Sequence, residues 1–338
     1  MGLRPRLKHF VLRFAIESST GTFFTPTGLK TRMVSIIIPL YNKSATIERA
    51  IRSVLKQTVT DFELLVVDNG STDGGAGVVQ TIEDGRIRLI SHPDRGVSKA
   101  RNRGIAEARS EWVTFLDADD EWEPTFLATC QRLGEEFPQC EVRATAYRRS
   151  YSDGRKQDII LAHCPVDRDF VMDNYFEVAS HSDPPFCSIS VMIRKEALLA
   201  VGGFPDGIHQ GEDLLTWARL ASRYKIAYCR EPQSIFHTGE STSMDAPRRL
   251  PAYDDPVGRG LEALYAQTPE LMGLGHYIAQ WHKMRASIYL RLPGMSRHCR
   301  QEIATSQRWH KNRRLCIYKL LSYLPYALRM RLLHTIAK

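Results

Sequence analysis

The chain has 338 residues, which is long enough for one large domain or two smaller ones. A hydrophobic share of 43% and a charged share of 25% are typical of a globular protein. No apolar run approaches the roughly 18–20 residues of a membrane-spanning helix. The seven cysteines form no CxxC pair and no Cys/His metal spacing, which indicates reduced thiols and predicts a cytoplasmic protein.

Positive charge is concentrated at the two ends of the chain. Residues 1–32 carry six Lys and Arg against one Glu, and residues 276–338 carry thirteen Lys and Arg against Glu302 alone. This asymmetry indicates a polyanionic partner. Because aromatic residues interleave with the basic ones after residue 276, we expect helices lying on the inner, anionic face of the cytoplasmic membrane. A helical cap with a solvated basic face is the alternative, and nucleic acid is disfavoured because no binding motif accompanies the charge.

The first part of the chain alternates between strand and helix patterns. Continuous β-branched runs, typical of strands buried on both faces, alternate with apolar residues at helical spacing. The predicted strands cover 34–40, 63–68, 87–90 and 112–116, with helices expected near 47–55, 78–83 and 97–108 and from Pro124 onward. This βαβ order predicts an α/β fold with a Rossmann-like, mostly parallel sheet flanked by helices.

The pattern becomes less regular after residue 140. Strands are predicted at 142–147 and 188–193, helices at 195–200 and 212–222, and mostly helix from 260 to the end. We divide the chain into a basic extension, 1–32, expected to be disordered or to precede the true start, a catalytic domain, 33–250, and a basic helical tail, 251–338.

Carboxylates follow two of the predicted strands. Asp68 ends the second strand, and Asp117, Asp119 and Asp120 follow the fourth. Ligands of open α/β sheets bind at the carboxyl ends of strands, and a hard divalent ion is the natural compensation for clustered carboxylates. The pattern predicts Mg²⁺ or Mn²⁺ holding a diphosphate, with a solvated acidic turn as the alternative. A dinucleotide-binding fold is disfavoured because no glycine-rich turn follows the first strand.

Four motifs together resemble glycosyltransferase family 2 in order and spacing. The resemblance covers roughly residues 34–245 and is densest over 34–125. The motifs are IIIPLYN at 36–42, VVDNGSTD at 66–73, GVSKARNRG at 96–104 and FLDADD at 115–120. The resemblance implies a GT-A fold and inverting transfer from a nucleoside-diphosphate sugar, with UDP as the expected nucleotide.

The resemblance also implies roles for residues on the donor side. Pro39 and Tyr41 are expected to line the pocket for base and ribose, and Asp68 to hydrogen-bond the base. Arg101 is expected to approach the nucleotide or its phosphates, and Asp117 to contact the ribose or the sugar. For Arg101 the alternative is a solvated helix residue, and for Pro39 and Tyr41 it is simple packing at a strand end.

The implied metal ligands are Asp119 and a late histidine, His237. An inverting displacement also needs a base on the face opposite the leaving diphosphate. The segment Gly211-Glu212-Asp213 resembles the Glu-Asp motif of the family, and the base role is carried to Asp213. The alternatives are that the two acids cap a helix and that His237 is an ordinary hydrogen-bonded residue.

The expected function is transfer of a single sugar to a lipid-linked or surface-glycan acceptor in cell-envelope polysaccharide synthesis. The QxxRW motif and spanning helices of the processive members of the family are absent from the sequence, which favours single transfer. A nucleotidyltransferase is the alternative enzyme, although no glycine-rich basic loop follows the first strand. A catalytically silent sugar-nucleotide-binding scaffold is the alternative that is not an enzyme.

Overall fold

The computed structural model describes residues 33–91, 93, 95–238 and 251–336, with the side chains of 335 and 336 excepted. The predicted extension 1–32 lies outside the described residues. Within them the strands are β1 (Val34–Leu40), β2 (Phe62–Asp68), β3 (Ile87–Ser91), β4 (Trp112–Phe115), β5 (Glu121–Trp122), β6 (Val142–Tyr151), β7 (Lys156–Asp158), β8 (Phe170–Met172), β9 (Val191–Arg194) and β10 (Ile226–Thr238).

These strands form one mixed sheet with the order β3-β2-β1-β4-β9-β6-β10-β5. The first four pair in parallel, as do β6 and β10, and the antiparallel β9 lies between β4 and β6. Strands β7 and β8 add to β6 and β10 in antiparallel orientation. The carboxyl ends of β1, β2 and β4 therefore meet at one edge of the sheet, where an α/β fold binds its ligands.

Helices cover both faces of the sheet and continue to the end of the described chain. They are α1 (Ile47–Leu55), α2 (Gly75–Gln80), α3 (Val97–Glu107), α4 (Phe126–Glu136), α5 (Tyr175–His181), α6 (Lys195–Ala200), α7 (Glu212–Ala221), α8 (Pro256–Gln267), α9 (Leu274–Leu290), α10 (Ser296–Trp309), α11 (Arg314–Leu321) and α12 (Tyr326–Ile336).

Strand β1 is buried on both faces, as its continuous apolar run predicts. Ile36 and Ile38 pack into the cluster that contains α1, whereas Ile37 points to the opposite cluster, which contains α3. A Cβ atom on Gly104 of α3 would lie 2.4 Å from a methyl group of Ile37, so glycine is what allows this close approach. Full burial of such a side chain contributes roughly 1.5–3 kcal/mol.

The structure differs from the sequence predictions in several details. The helix expected near 78–83 is α2, Gly75–Gln80. Helix α4 begins at Phe126, after Pro124, whose carbonyl oxygen accepts the N–H of Thr58 (2.9 Å). The predicted strand at 188–193 begins with a 3₁₀ turn, Ser188–Ser190, and only then becomes β9. Strand β10 was not predicted, because Arg230, Glu231 and Pro232 interrupt its apolar pattern where the pairing with β6 shifts register.

The C-terminal helices share a core with the sheet-bearing region. Leu261 of α8 and Ile278 of α9 belong to the same buried cluster as Trp217 of α7. Gly273, just before α9, lies so close to α5 that a Cβ atom there would be 2.8 Å from the backbone nitrogen of Glu177. Residues from Met33 onward accordingly form one compact unit. Within the described part of the chain, no helix is both long and apolar enough to cross a bilayer.

Candidate active site

The predicted donor residues lie at the edge where the parallel strands end. The register aligns Leu40 with Asp68, and β4 lies on the other side of β1, so Asp117 follows at the same edge. Pro39 is half-buried in β1, whereas the ring of Tyr41 is 41% exposed. The guanidinium of Arg95 lies 5.6 Å from the centre of that ring. This edge therefore offers an accessible aromatic face beside two half-buried carboxylates.

Side-chain hydrogen bonds fix the loops that follow β1 and β2 against each other. Asn42 has a positive φ of 50°, and its side-chain oxygen accepts the N–H of Thr72 (2.8 Å). The N–H of Ser44 donates to Asp73 (2.8 Å), and the N–H of Ser71 donates to Asp68 (3.1 Å). Asn, Asp and Ser are the residues that satisfy backbone groups in turns. The motif VVDNGSTD thus fixes Asp68 in a loop that is hydrogen-bonded to the loop after β1.

The acidic turn after β4 separates its carboxylates by environment. Asp119 forms an ion pair with Lys43 (2.7 Å), and both side chains are partly accessible. Asp120 is buried, and its oxygen accepts the backbone N–H of His237 (2.7 Å). Burial raises the pKa of Asp120 well above its ordinary value, and Asp117 and Asp119 raise it further. Asp120 therefore attaches the turn to β10, and Asp119 is the more accessible carboxylate.

A hard divalent cation fits the chemistry of this turn. Its donors are carboxylate and carbonyl oxygens, the ligands that such an ion prefers. Besides burial, the negative charges of Asp117 and Asp119 raise the pKa of Asp120, and a cation bound here would offset those charges. The imidazole of His237 lies beside the turn with its Nε2 2.8 Å from Glu121. Neither Asp119 nor His237 belongs to a closely spaced group of three His, Cys, Asp or Glu residues among the described positions. Their assignment as metal ligands stays a prediction.

Arg101 connects the donor side of the site to the Glu-Asp motif. It is only 3% exposed, and it donates to Asp117 (2.9 Å) and to Glu212 (3.3 Å). Its guanidinium lies 5.1 Å from the centre of the Phe204 ring. Arg101 is thus a buried residue rather than a solvated helix residue. The planar guanidinium of arginine is suited to such a bridge, because it can pair with two carboxylates at once.

The neighbouring residue Asn102 makes a second connection from α3. Its amide donates to the carbonyl oxygen of Phe204 (2.7 Å) and accepts the N–H of the same residue (3.0 Å). Asn102 also explains why residue 203 is a glycine. A Cβ atom on Gly203 would lie 2.7 Å from the side-chain oxygen of Asn102. The motif GVSKARNRG therefore organises the region around α7.

Burial raises the pKa of both carboxyl groups of the Glu-Asp motif. It raises the pKa of Glu212 to about 7, with Asp213 and Asp117 adding to the rise and Arg101 opposing it. Burial also raises the pKa of Asp213, again against the effect of Arg101. A carboxyl group with a pKa near neutrality is suited to accept a proton at physiological pH.

The C-terminal helices support the start of α7. Gly211 precedes α7 with a φ of +81°, and a Cβ atom there would lie 2.7 Å from the ring of Trp281 in α9. On the same side, the ring of Tyr277 lies 6.0 Å from that of Tyr175, measured between centroids. Trp217, within α7, is fully buried in the core. Sequence reasoning missed Tyr277 and Trp281 as neighbours of the motif, because residues 276–338 drew attention through their charge.

Comparison with known proteins identifies the family. The model of the family described as "Glycosyl transferase family 2" matches residues 35–190. An uncharacterized protein of Mycobacterium tuberculosis (strain CDC 1551 / Oshkosh) is 32% identical over 234 residues, which are 64% of this chain and 72% of that protein. The chain belongs to glycosyltransferase family 2. The GT-A fold and the enzyme class predicted from the motifs are thereby confirmed.

Two relatives described as uncharacterized glycosyltransferases share a shorter stretch. An uncharacterized glycosyltransferase of Nostoc sp. (strain PCC 7120 / SAG 25.82 / UTEX 2576) is 38% identical over 37% of this chain and 39% of its own length. EpsJ of Bacillus subtilis (strain 168), also an uncharacterized glycosyltransferase, is 37% identical over 36% of each chain. The chain thus spans less than two fifths of the length of these two relatives.

Solved structures share the fold at low sequence identity. Residues 1–349 of S. aureus TarS superimpose with a TM-score of 0.61 at 16% identity, over 82% of this chain and 80% of that one. The same protein in complex with UDP-GlcNAc gives a TM-score of 0.61 at 17% identity, with equal coverage. The structural similarity to TarS covers 82% of this chain and therefore extends beyond residues 35–190, which the family model matches.

Proposed function

We propose that the chain transfers one sugar, with inversion, from a UDP-sugar to a hydroxyl group of a lipid-linked or surface-glycan acceptor. The observation that carries the proposal is the bridge that Arg101 makes between Asp117 and Glu212. It joins Asp117, which follows β4, to Glu212 of the Glu-Asp motif at the start of α7. The fold shared with a TarS structure that contains UDP-GlcNAc supports a UDP-sugar as donor.

On the donor side we assign the nucleotide to the strand ends. Tyr41 offers an exposed ring on which a base or ribose can pack, beside the half-buried Pro39. Asp68 is held by the N–H of Ser71 and can accept a hydrogen bond from the base. Arg101 acts on the donor mainly by positioning Asp117, because its side chain is buried and pairs with Asp117 and Glu212.

The divalent cation, Mn²⁺ or Mg²⁺, is assigned to Asp119 and His237. When bound, such an ion neutralises negative charge that develops on the leaving diphosphate. Lys43, which pairs with Asp119, supplies a second positive charge at the same point. Asp120 positions the turn through its hydrogen bond with the backbone of His237.

The base is assigned to Asp213. Glu212 points an oxygen at Arg101, which leaves Asp213 as the carboxylate of the motif that can serve the acceptor. Its raised pKa makes it a better proton acceptor than an exposed aspartate. The proton leaves the acceptor hydroxyl for Asp213 as the oxygen attacks the anomeric carbon on the face opposite the diphosphate.

Release of UDP from UDP-sugars in the presence of Mn²⁺ tests the proposal. Asp119→Ala and Asp213→Asn should each lower turnover by roughly 10²–10⁴-fold. Asp206→Asn is the matched control, since Asp206 is exposed and lies in the loop before α7. Wild-type protein that binds UDP-sugars but never turns them over would favour the silent scaffold. Equal activity of the Asp213 and Asp206 variants would refute the base assignment alone.

We also propose that α11 and α12 bind the anionic inner surface of the cytoplasmic membrane. Leu320 is 70% exposed, and the same segment carries the exposed basic residues Arg313, Arg314 and Lys319. Apolar residues flanked by basic ones are typical of helices that lie in a lipid interface. The further exposed apolar residues of α11, α12 and the turn between them are Ile317, Tyr323, Tyr326, Leu328 and Leu332.

Vesicle sedimentation tests the membrane proposal without truncating the shared core. Wild-type protein should sediment with phosphatidylglycerol vesicles and not with phosphatidylcholine vesicles, and Leu320→Glu should weaken this binding. Met272→Glu is the control, because Met272 is 80% exposed and lies outside α11 and α12. Equal sedimentation of the two variants would contradict the proposal.

A further inference from the structure

Four histidines from separate segments lie in a row on the protein. His163 lies in the loop between β7 and β8, His181 ends α5, His276 is in α9 and His310 follows α10. Successive ring centroids are 4.5 Å apart (His163 to His181), 4.6 Å (His181 to His276) and 3.9 Å (His276 to His310). None of these residues belongs to the acidic turn or to the Glu-Asp motif.

Two of these histidines and a glutamate have the spacing of metal ligands. His163, Glu177 and His181 each offer one ligand atom, and the three atoms lie within 4.8 Å of one another. Glu177 and His181 are one helical turn apart in α5, so their side chains share a face. All three residues are at least partly accessible, so an ion can reach them.

The hydrogen bond of His181 prepares it to be a ligand. Its Nδ1 lies 2.9 Å from the backbone carbonyl oxygen of Glu177 and therefore donates to it. The lone pair of the neutral ring is then on Nε2. Metal-binding histidines are commonly oriented in this way by a carbonyl group that binds the second ring nitrogen.

The backbone also holds His163 in an unfavourable conformation beside α5. His163 has a φ of +59°, and the left-handed region costs a residue other than glycine roughly 1–2 kcal/mol. Its carbonyl oxygen accepts the amide N–H of Asn174, the residue that precedes α5 (2.9 Å). Such strain is found most often at functional sites, where the surrounding structure maintains it.

We propose that His163, Glu177 and His181 bind one Zn²⁺ ion, with water as the fourth ligand. Two imidazoles and a carboxylate are a common zinc ligand set, and imidazole favours Zn²⁺ over Mg²⁺ and Mn²⁺. His276 is a neighbour and not a ligand, because its Nε2 accepts the amide N–H of Gln280 (2.9 Å). The site is thus distinct in residues and in metal preference from the divalent ion assigned to Asp119.

The ion would fasten the loop that carries His163 to α5. In α5, Tyr175 and Phe176 pack on Tyr277 of α9, with ring centroids 6.0 and 5.6 Å apart. Zinc at this point therefore joins the loop to the helix on which Tyr277 packs. A ligand that binds only the folded state raises the melting temperature, so Zn²⁺ should do so.

Calorimetric titration of untagged, metal-free protein with ZnCl₂, in excess Mg²⁺, tests the proposal. We expect one Zn²⁺ per chain and a rise in melting temperature. His181→Gln should weaken binding at least about tenfold, since altering even the hydrogen-bond partner of a ligand costs that much. The matched control is His334→Gln, because His334 is exposed on α12. Its Zn²⁺ affinity should equal that of the wild type.

Two results would overturn the proposal. One is wild-type protein that binds no Zn²⁺ under these conditions. The other is Zn²⁺ binding of equal strength by the His181→Gln and His334→Gln variants. If circular dichroism shows that His181→Gln is unfolded, His163→Gln takes its place, because His163 is an exposed loop residue. Loss of binding in that variant supports the site, and unchanged binding refutes it.

Discussion

Replacing Glu212 with glutamine should change how protein stability depends on pH. The folded-state pKa of Glu212 is about 7, against an ordinary value of 4.5, because the carboxyl group is buried beside Asp213 and Asp117. Between these two pH values the folded state binds more protons than the unfolded state, so stability falls as pH rises. Glutamine has nearly the same shape and does not titrate, so the variant should escape this loss.

The expected size follows from the two pKa values. Relative to the wild type, the free energy of unfolding of Glu212→Gln should increase by about 2 kcal/mol from pH 4 to pH 6, and by about 3 kcal/mol in all by pH 8. Any constant difference between amide and acid cancels in this comparison. Urea unfolding followed by tryptophan fluorescence at each pH measures it.

The matched control for this prediction is Glu135→Gln, at an exposed position of α4. The difference in free energy of unfolding between this variant and the wild type should vary far less with pH. A Glu212→Gln difference that stays flat between pH 4 and pH 8 would refute the reasoning, because it would mean that burial and the neighbouring carboxylates do not raise the pKa of Glu212.

Three further outcomes are expected. Gly211→Ala should lower the free energy of unfolding by about 2–4 kcal/mol and reduce turnover, because the methyl group meets Trp281 in a left-handed conformation. Gly207→Ala, which has a similar φ and open space around it, should cost only about 1–2 kcal/mol, and equal effects of the two in urea unfolding would contradict the contact. Removal of divalent ions with EDTA should abolish UDP release, and Mn²⁺ should restore it; full activity in EDTA would exclude the assigned metal. Lys43→Met should tighten Mn²⁺ binding to the donor-free protein by about fivefold, roughly 1 kcal/mol, because the ammonium group no longer competes for Asp119; calorimetry showing weaker binding would contradict this.

Local sequence signals predicted the half of the fold that positions the donor. The apolar run of β1 and the carboxylates of Asp68 and Asp117 follow from period and strand-end position, and the structure has them at one edge. Strand β10 escaped prediction because Pro232 breaks its pattern, although the strand lies between β6 and β5 in the sheet. The strands that β10 pairs with are distant from it in sequence, so a short stretch of sequence does not reveal the pairing.

The internal organisation of the site was less predictable. Arg101 matches the family motif, but its partner Glu212 lies 111 residues away. No local rule indicates which of two adjacent acids meets an arginine so distant in sequence. The same holds for Trp281, whose ring against Gly211 is visible only once α9 is packed. The basic charge of the tail and the aromatic residues among it were evident from the sequence, whereas the packing of Tyr277 against Tyr175 was not.

Because α7, α8 and α9 share one core, a chimera of this enzyme has to keep these three helices together. A chimera that joins the first 250 residues to a foreign C-terminal segment would expose the buried faces that Leu261 and Ile278 cover, and would leave Gly211 without the ring it packs on. Exchanges of acceptor specificity between relatives should therefore carry α8 and α9 along with the Glu-Asp motif. We therefore expect substitutions in α7 and in these two helices to be energetically coupled.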